Sequence, residues 1–155
     1  MSKKKKQIKA FAVSNNKQIK TNQISSKQIN QNQNKISFDK MNFNWKFSEK
    51  YLDLTHNSYG WDKINTTALF KTAIFGLERF EQMTWEEVKK RKHSHPLDMI
   101  YLKNNHKGLY AYAINKGIEI LFQVDVAQKE RVIGYKIQDM FFPIWYDKAH
   151  TIYPA

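Results

Sequence analysis

Residues 118–146, IEILFQVDVAQKERVIGYKIQDMFFPIWY, carry the pattern that decides the fold. Ile118, Ile120, Phe122, Val124 and Val126 alternate with Glu119, Leu121, Gln123 and Asp125, the two-residue period of a strand whose side chains point to opposite faces. Ala127-Gln128-Lys129-Glu130 reads as a turn, and Arg131–Ile137 as a second strand in which Ile133, Tyr135 and Ile137 alternate against Val132, Gly134 and Lys136. Gln138-Asp139 is a two-residue connection to a third strand over Met140–Tyr146, so the three form an antiparallel meander. Shared parity on adjacent strands puts Tyr135 and Ile137 in the core beside Phe122. Pro143 has no amide hydrogen, which makes the third strand an edge or turns that position away from its partner.

Upstream of the meander the period changes. Phe43, Trp45 and Phe47 alternate with Asn44 and Lys46 and predict a half-buried first strand. Thr55–Gly60 is a polar loop. Leu69, Phe70, Ala73, Ile74, Leu77 and Phe80 share one face of a helix over about 66–82, capped by Asn65 or Thr66. Thr84-Trp85-Glu86-Glu87 is a capping box, which starts a second helix running to about Lys92, and Pro96 marks its end. Leu109–Ile114, between Gly108 and Gly117, is short enough to be two helical turns or a strand, and is read here as helix. The order of strand, two helices and three-stranded meander predicts an α+β domain over 41–155, its helices on one face of the sheet and the other face open to a ligand.

Residues 1–40 differ in kind. They hold ten lysines against one acid, Asp39, together with twelve Asn or Gln and no Pro, Gly, Trp or Tyr, and so bury too little apolar surface to offset the entropy of ordering. They are expected to be a disordered basic tail, with Lys3, Lys4, Lys5 and Lys6 contacting nucleic-acid phosphates without sequence preference. Lys, Asn and Ile supply 51 of 155 residues, so part of the lysine content is compositional bias. The absence of cysteine removes disulfides, thiolate nucleophiles and Cys-ligated metal sites, and fits a reducing compartment. No apolar run approaches the roughly 20 residues that span a bilayer, so a cytoplasmic protein with no membrane partner is expected.

Groups able to move protons concentrate near the end of the chain, in Trp145-Tyr146-Asp147-Lys148-Ala149-His150-Thr151-Ile152-Tyr153. RNA cleavage by internal attack of the 2′-oxygen needs a base at the 2′-hydroxyl, cationic donors on the phosphate and an acid at the leaving 5′-oxygen. His150 fits as acid or base, Arg131 and Lys148 as phosphorane stabilisers, and Tyr153 as an orienting group or donor. The competing account makes Asp147 and His150 turn-stabilising groups and Trp145 and Tyr153 core residues. Asp53 and His56 form a second possible site pair beside the first strand. His93-Ser94-His95-Pro96-Leu97-Asp98 only superficially resembles a metal triad, and no metal or cofactor is expected. There is no GxGxxG, P-loop or Gly-x-Ser-x-Gly pattern. With only Arg79, Arg91 and Arg131 as arginines, bidentate reading of base edges has few candidate residues.

Residues 43–56 together with 131–154 resemble a group of small uncharacterised bacterial proteins. More distantly, the strand, helix, helix, meander order, the arginine opening the second meander strand and a His followed by a final Tyr resemble the RelE/YoeB/HigB-type toxins. That resemblance implies a compact endoribonuclease acting on mRNA, usually at the ribosome, and held by an antitoxin protein. It matches Arg131 to the family's phosphate-contacting arginine and His150 and Tyr153 to its C-terminal pair, although Thr151-Ile152 separate the two here. The expected function is therefore a metal-independent, RelE-like endoribonuclease with RNA or the ribosome as partner. The alternative is a non-catalytic module that binds nucleic acid or protein.

Overall fold

The computed structural model describes residues 37–154, so the basic tail with Lys3–Lys6 lies outside the described residues up to position 36. Five strands form one sheet: β1 (Asn44–Trp45), β2 (His95–Pro96), β3 (Leu121–Asp125), β4 (Arg131–Ile137) and β5 (Met140–Asp147), in the order β1-β5-β4-β3-β2. The meander is antiparallel as its alternation predicts, and β1 adds to it parallel to β5. Helix α1 covers 66–82 and changes pitch along its length, widening to a π-helix over Leu69–Ile74 and tightening to a 3-10 turn over Arg79–Gln82. Asn65 caps it by accepting from the Ala68 amide at 2.8 Å. Helix α2 (Trp85–Lys90) begins on a complete capping box, with Thr84 and Glu87 each bonding the other's main chain. Helices α3 (Met99–Asn105) and α4 (Lys107–Asn115) follow, confirming helix for 109–114.

Helices cover both faces of the sheet, and this corrects the one-faced arrangement read from the sequence. Phe122, Val124, Val132, Phe141 and Tyr146 point to the first face, where they pack with Ala73, Leu77 and Phe80 of α1 and with Trp85 and Val88 of α2. Leu121, Ile133, Ile144 and Trp145 point to the second, where Leu102 of α3 and Leu109 and Ala113 of α4 cover them. The sequence points to an open face because α3 and α4 are only seven and nine residues long, too short for periodicity to show which side of the sheet they cover. Tyr135 pairs with Leu121 and so shares the second face, opposite to Phe122, whose partner is Gly134. Ile137 is exposed. The expected trio of Tyr135, Ile137 and Phe122 thus does not form, since Leu121, and not Phe122, marks that face.

β1 pairs with β5 at Met140 and Phe141 only, so at Pro143 β5 has β4 on one side and, among the described residues, no strand on the other, an edge position within an otherwise inner strand. Between Ile133 opposite Trp145 and Gly134 opposite Pro143, β5 also carries one extra residue, Ile144. The missing amide falls where this bulge interrupts the ladder. As a result Ile144 and Trp145, though consecutive, both enter the second core. The Ile144 carbonyl instead accepts from the Trp61 indole at 2.9 Å and from the Asp53 amide at 3.3 Å, which ties the 53–61 loop to the sheet. Gly134 keeps close contact possible here, because a Cβ at that position would stand 2.5 Å from the Phe141 ring and the Phe142 carbonyl.

Candidate active site at the strand ends

The end of β3, the start of β4 and the end of β5 lie side by side, with Asp125 opposite Arg131 and Arg131 opposite Asp147. Beside them opens a cleft of about 440 Å³ whose lining includes Arg79, Arg91, His93, Asp125 and Arg131. All three arginines of a chain with 23 lysines meet in this one cleft.

Each is brought there by a separate local cause. Arg79 lies in the last turn of α1, and Gly76, one turn earlier, lets the helix approach the strand end: a Cβ on it would stand 2.6 Å from the Val126 Cβ. The Arg79 guanidinium donates to the Val126 carbonyl. Arg91 ends α2 and grips Asp125 with both arms of its fork, Nε to Oδ1 at 2.9 Å and Nη2 to Oδ2 at 2.7 Å, while its guanidinium lies over the Phe80 ring. Ser94 donates to the same carboxylate, and the buried Gln123 amide donates to the His93 carbonyl at 3.1 Å. These contacts fasten the 91–94 turn to β3 and fix where the His93 imidazole starts.

Arg131 is the unusual member. It is 2% exposed, and its Nη1 donates to the carbonyls of Ala127 at 2.9 Å and Glu130 at 3.0 Å. No carboxylate lies within ion-pairing distance of it among the described residues, and its buried Nε has no hydrogen-bond partner. Asp147 does not serve as that partner, because both its oxygens are committed to the following turn. Oδ1 accepts from the Ala149 amide and the Thr151 hydroxyl, and Oδ2 from the Ile152 amide at 2.7 Å. This turn places His150 with φ 57°, in the left-handed region. Its ring meets that of His93 edge-on, 6.0 Å between centroids, and its Nε2 is buried without a partner.

The electrostatics follow. Burial pushes the Asp125 carboxyl up, but the hydrogen bonds from Arg91 and Ser94, with the arginine's charge, hold it below the usual carboxylate range. Arg91 is correspondingly raised by that hydrogen bond. Burial lowers Arg131, and burial and then the charge of Arg131 lower His150, so the His150 imidazole is biased toward its neutral form. Among the lining residues, three guanidinium charges face one carboxylate. The cleft is therefore suited to an anion with several acceptor oxygens.

The other expected site residues go elsewhere. Tyr153 packs its ring against Tyr101 and His95, 4.8 and 5.5 Å between centroids, and Lys148 lines a separate pocket with Tyr146, Ser58 and Lys63. Asp53 and His56 anchor the loop. One Asp53 oxygen takes the Thr55 and His56 amides and the other the Trp145 indole, while His56 Nδ1 accepts from the Ser58 and Tyr59 amides. His150 and Arg131 do stand at the same end of the sheet, but on a covered face. Arg79, Arg91, His93 and Asp125 are not among the site residues expected from the sequence: the two arginines figure there only for their scarcity and His93 only in a metal-like triad. Among the described residues no three His, Asp or Glu side chains gather as metal ligands, and no helix is long and apolar enough to cross a membrane.

A family model described as Uncharacterised protein UU032 matches residues 33–155, and the chain belongs to that family. No curated protein and no solved structure matches it.

Proposed function

We propose that this member of the UU032 family is an endoribonuclease whose arginine-lined cleft at the strand ends takes the scissile phosphodiester. The observation that carries the reading is Arg131, a buried cation with no carboxylate partner among the described residues and an unpaired Nε, beside the two other arginines of the chain. A buried charge left this way is costly unless something pairs with it, and a phosphate oxygen would do so. Arg79 and Arg131 would then stabilise the phosphorane, while Arg91, already bound to Asp125, holds the wall of the cleft. An imidazole at the cleft, from the His93 and His150 pair, moves the proton.

The finer version of this proposal is a RelE-like toxin that cuts mRNA at the ribosome and is silenced by an antitoxin. It rests on element order and on Arg131 opening the second meander strand. Because α3 and α4 cover the sheet face that was expected to be open, RNA in this version reaches the strand ends and not the sheet surface.

The bond pattern of the arginines favours a second reading. Arg79 and Arg131 donate to the carbonyls of Val126, Ala127 and Glu130 and so clip the β3–β4 turn. A module built this way binds RNA without cutting it. Incubation of the full chain with an end-labelled RNA oligomer separates the two. Product bands that fall about a hundredfold in rate for Arg131→Lys, with binding retained, support the nuclease. Retarded but intact RNA with the native chain supports the binding module.

A further inference from the structure

The cleft holds one imidazole on its wall and a second behind it, and their environments differ. His93 is half-buried and lines the cleft together with Arg79, Arg91 and Arg131. His150 is not part of that lining, and its free Nε2 is shut away from solvent. We infer that His93 is the catalytic proton-transfer group of this cleft and that His150 is a positioning residue that supports the His93 ring from behind. The inference rests on the endoribonuclease reading and adds to it the identity of the acid–base residue.

The backbone of His93 is held by the buried Gln123 amide on its carbonyl, and the neighbouring Ser94 and Arg91 are bonded to Asp125, so the turn that carries the ring is rigidly joined to β3. The ring is steadied edge-on by His150 at 6.0 Å. The charged and titratable groups around the pair are Arg131 from β4, Asp147 from β5, and Arg91 and Asp125 at the cleft wall. Burial and then the Arg131 charge bias His150 toward its neutral form, which suits a ring that supports its neighbour by packing.

The step balances within the substrate and one side chain. His93 takes the proton from the 2′-hydroxyl as the 2′-oxygen to phosphorus bond forms. The same proton is delivered to the 5′-oxygen as the bond from phosphorus to that oxygen breaks. The products are a 2′,3′-cyclic phosphate and a 5′-hydroxyl, with no external reactant. A substrate lacking the 2′-hydroxyl cannot react in this way, so the site is specific for RNA over DNA.

The test uses the full chain and a DNA oligomer containing a single ribonucleotide. His93→Ala should cut about 10²- to 10⁴-fold more slowly than native, the usual scale of a lost acid–base group, and added imidazole should restore part of the rate. His150→Phe keeps an edge-on ring without nitrogens and should cut faster than His150→Ala, which loses the ring that positions His93. His106→Ala serves as a control at native rate, and thermal unfolding of each variant separates lost chemistry from lost structure. Full cleavage by His93→Ala, or imidazole rescue of His150→Ala in place of His93→Ala, overturns the inference and leaves the nuclease standing. If the native chain cuts neither this oligomer nor an all-RNA strand, both fall.

Discussion

The two faces of the sheet are built from different materials. On the first, the inward strand residues Phe122, Val124, Val132, Phe141 and Tyr146 meet Phe43, Trp61, Phe80 and Trp85, and among the described residues no buried charge interrupts them. On the second, the rows change along the strands, from Leu121 and Tyr135 to Gln123, Ile133 and Trp145, and then to Asp125, Arg131 and Asp147 at the strand ends. The three buried polar strand residues, Gln123, Arg131 and Asp147, all share this second parity. Both faces bury an apolar core, but only the second also carries polar groups to a single end, where they meet the turn after α2 and the last turn of α1. The difference teaches that the buried polar groups of the sheet are sorted by strand parity, one residue apart along the same chain.

Substitutions on the two faces should therefore fail in different ways. The largest loss is expected at Trp85, fully buried on the first face against Phe43 and Phe122: Trp85→Ala should cost about 3–5 kcal/mol in denaturant unfolding. A loss below about 1 kcal/mol would erase the contrast between the faces. Arg131→Lys comes next: under the proposed endoribonuclease function it should lower cleavage by about two orders of magnitude, or roughly 2.7 kcal/mol, because an ammonium cannot reproduce the planar fork. Unfolding of Arg131→Lys measured alongside should move much less than that of Trp85→Ala. Tyr135, half-buried at the apolar end of the second face and edge-on to Tyr51, should lose only about 1–2 kcal/mol on substitution by Ala. The smallest effect is a slope. Since the native His150 binds its proton less readily than an unfolded one, the stability it contributes is complete above about pH 6.5 and is lost as pH falls through its lowered folded value. His150→Gln should flatten the decline in unfolding free energy between pH 7 and pH 5, and an unchanged decline would assign it to other groups.

Most of the first face was legible in the sequence, because long apolar periods and a capping box are local signals. Leu77 and Phe80 repeat at helical spacing, Thr84 and Glu87 announce α2, and β4 and β5 stand where alternation puts them, while β3 covers only Leu121–Asp125 of the strand expected over 118–126. The second face was not, for two physical reasons. α3 and α4 are seven and nine residues long, and their caps, Asp98 on the Ile100 amide among them, look like ordinary loop chemistry in one dimension. The extra residue at Ile144 also reverses the parity of β5 midway, so no single alternation describes that strand. The site was half legible. Arg131 and His150 were singled out for their types and their position near the C-terminus, and they do stand at one end of the sheet. Arg79, Arg91 and His93 come to the cleft from distant segments, through a helix pressed on Val126 at Gly76 and a turn bonded to Asp125, and pairwise spacing carries no trace of such convergence.

The gathering of every arginine in one cleft also gives the molecule a built-in reporter. Growth on isotopically enriched arginine would label three side chains and nothing else, so every guanidinium resonance in the spectrum would originate at the strand ends. Arg91 would give a signal locked by its carboxylate, Arg79 one from the surface, and Arg131 one from the interior, where exchange with solvent is slow. A titrated oligonucleotide that enters the cleft must shift these lines while leaving the lysine-rich remainder of the chain spectroscopically silent, which distinguishes occupancy of this site from adhesion to the many other cations.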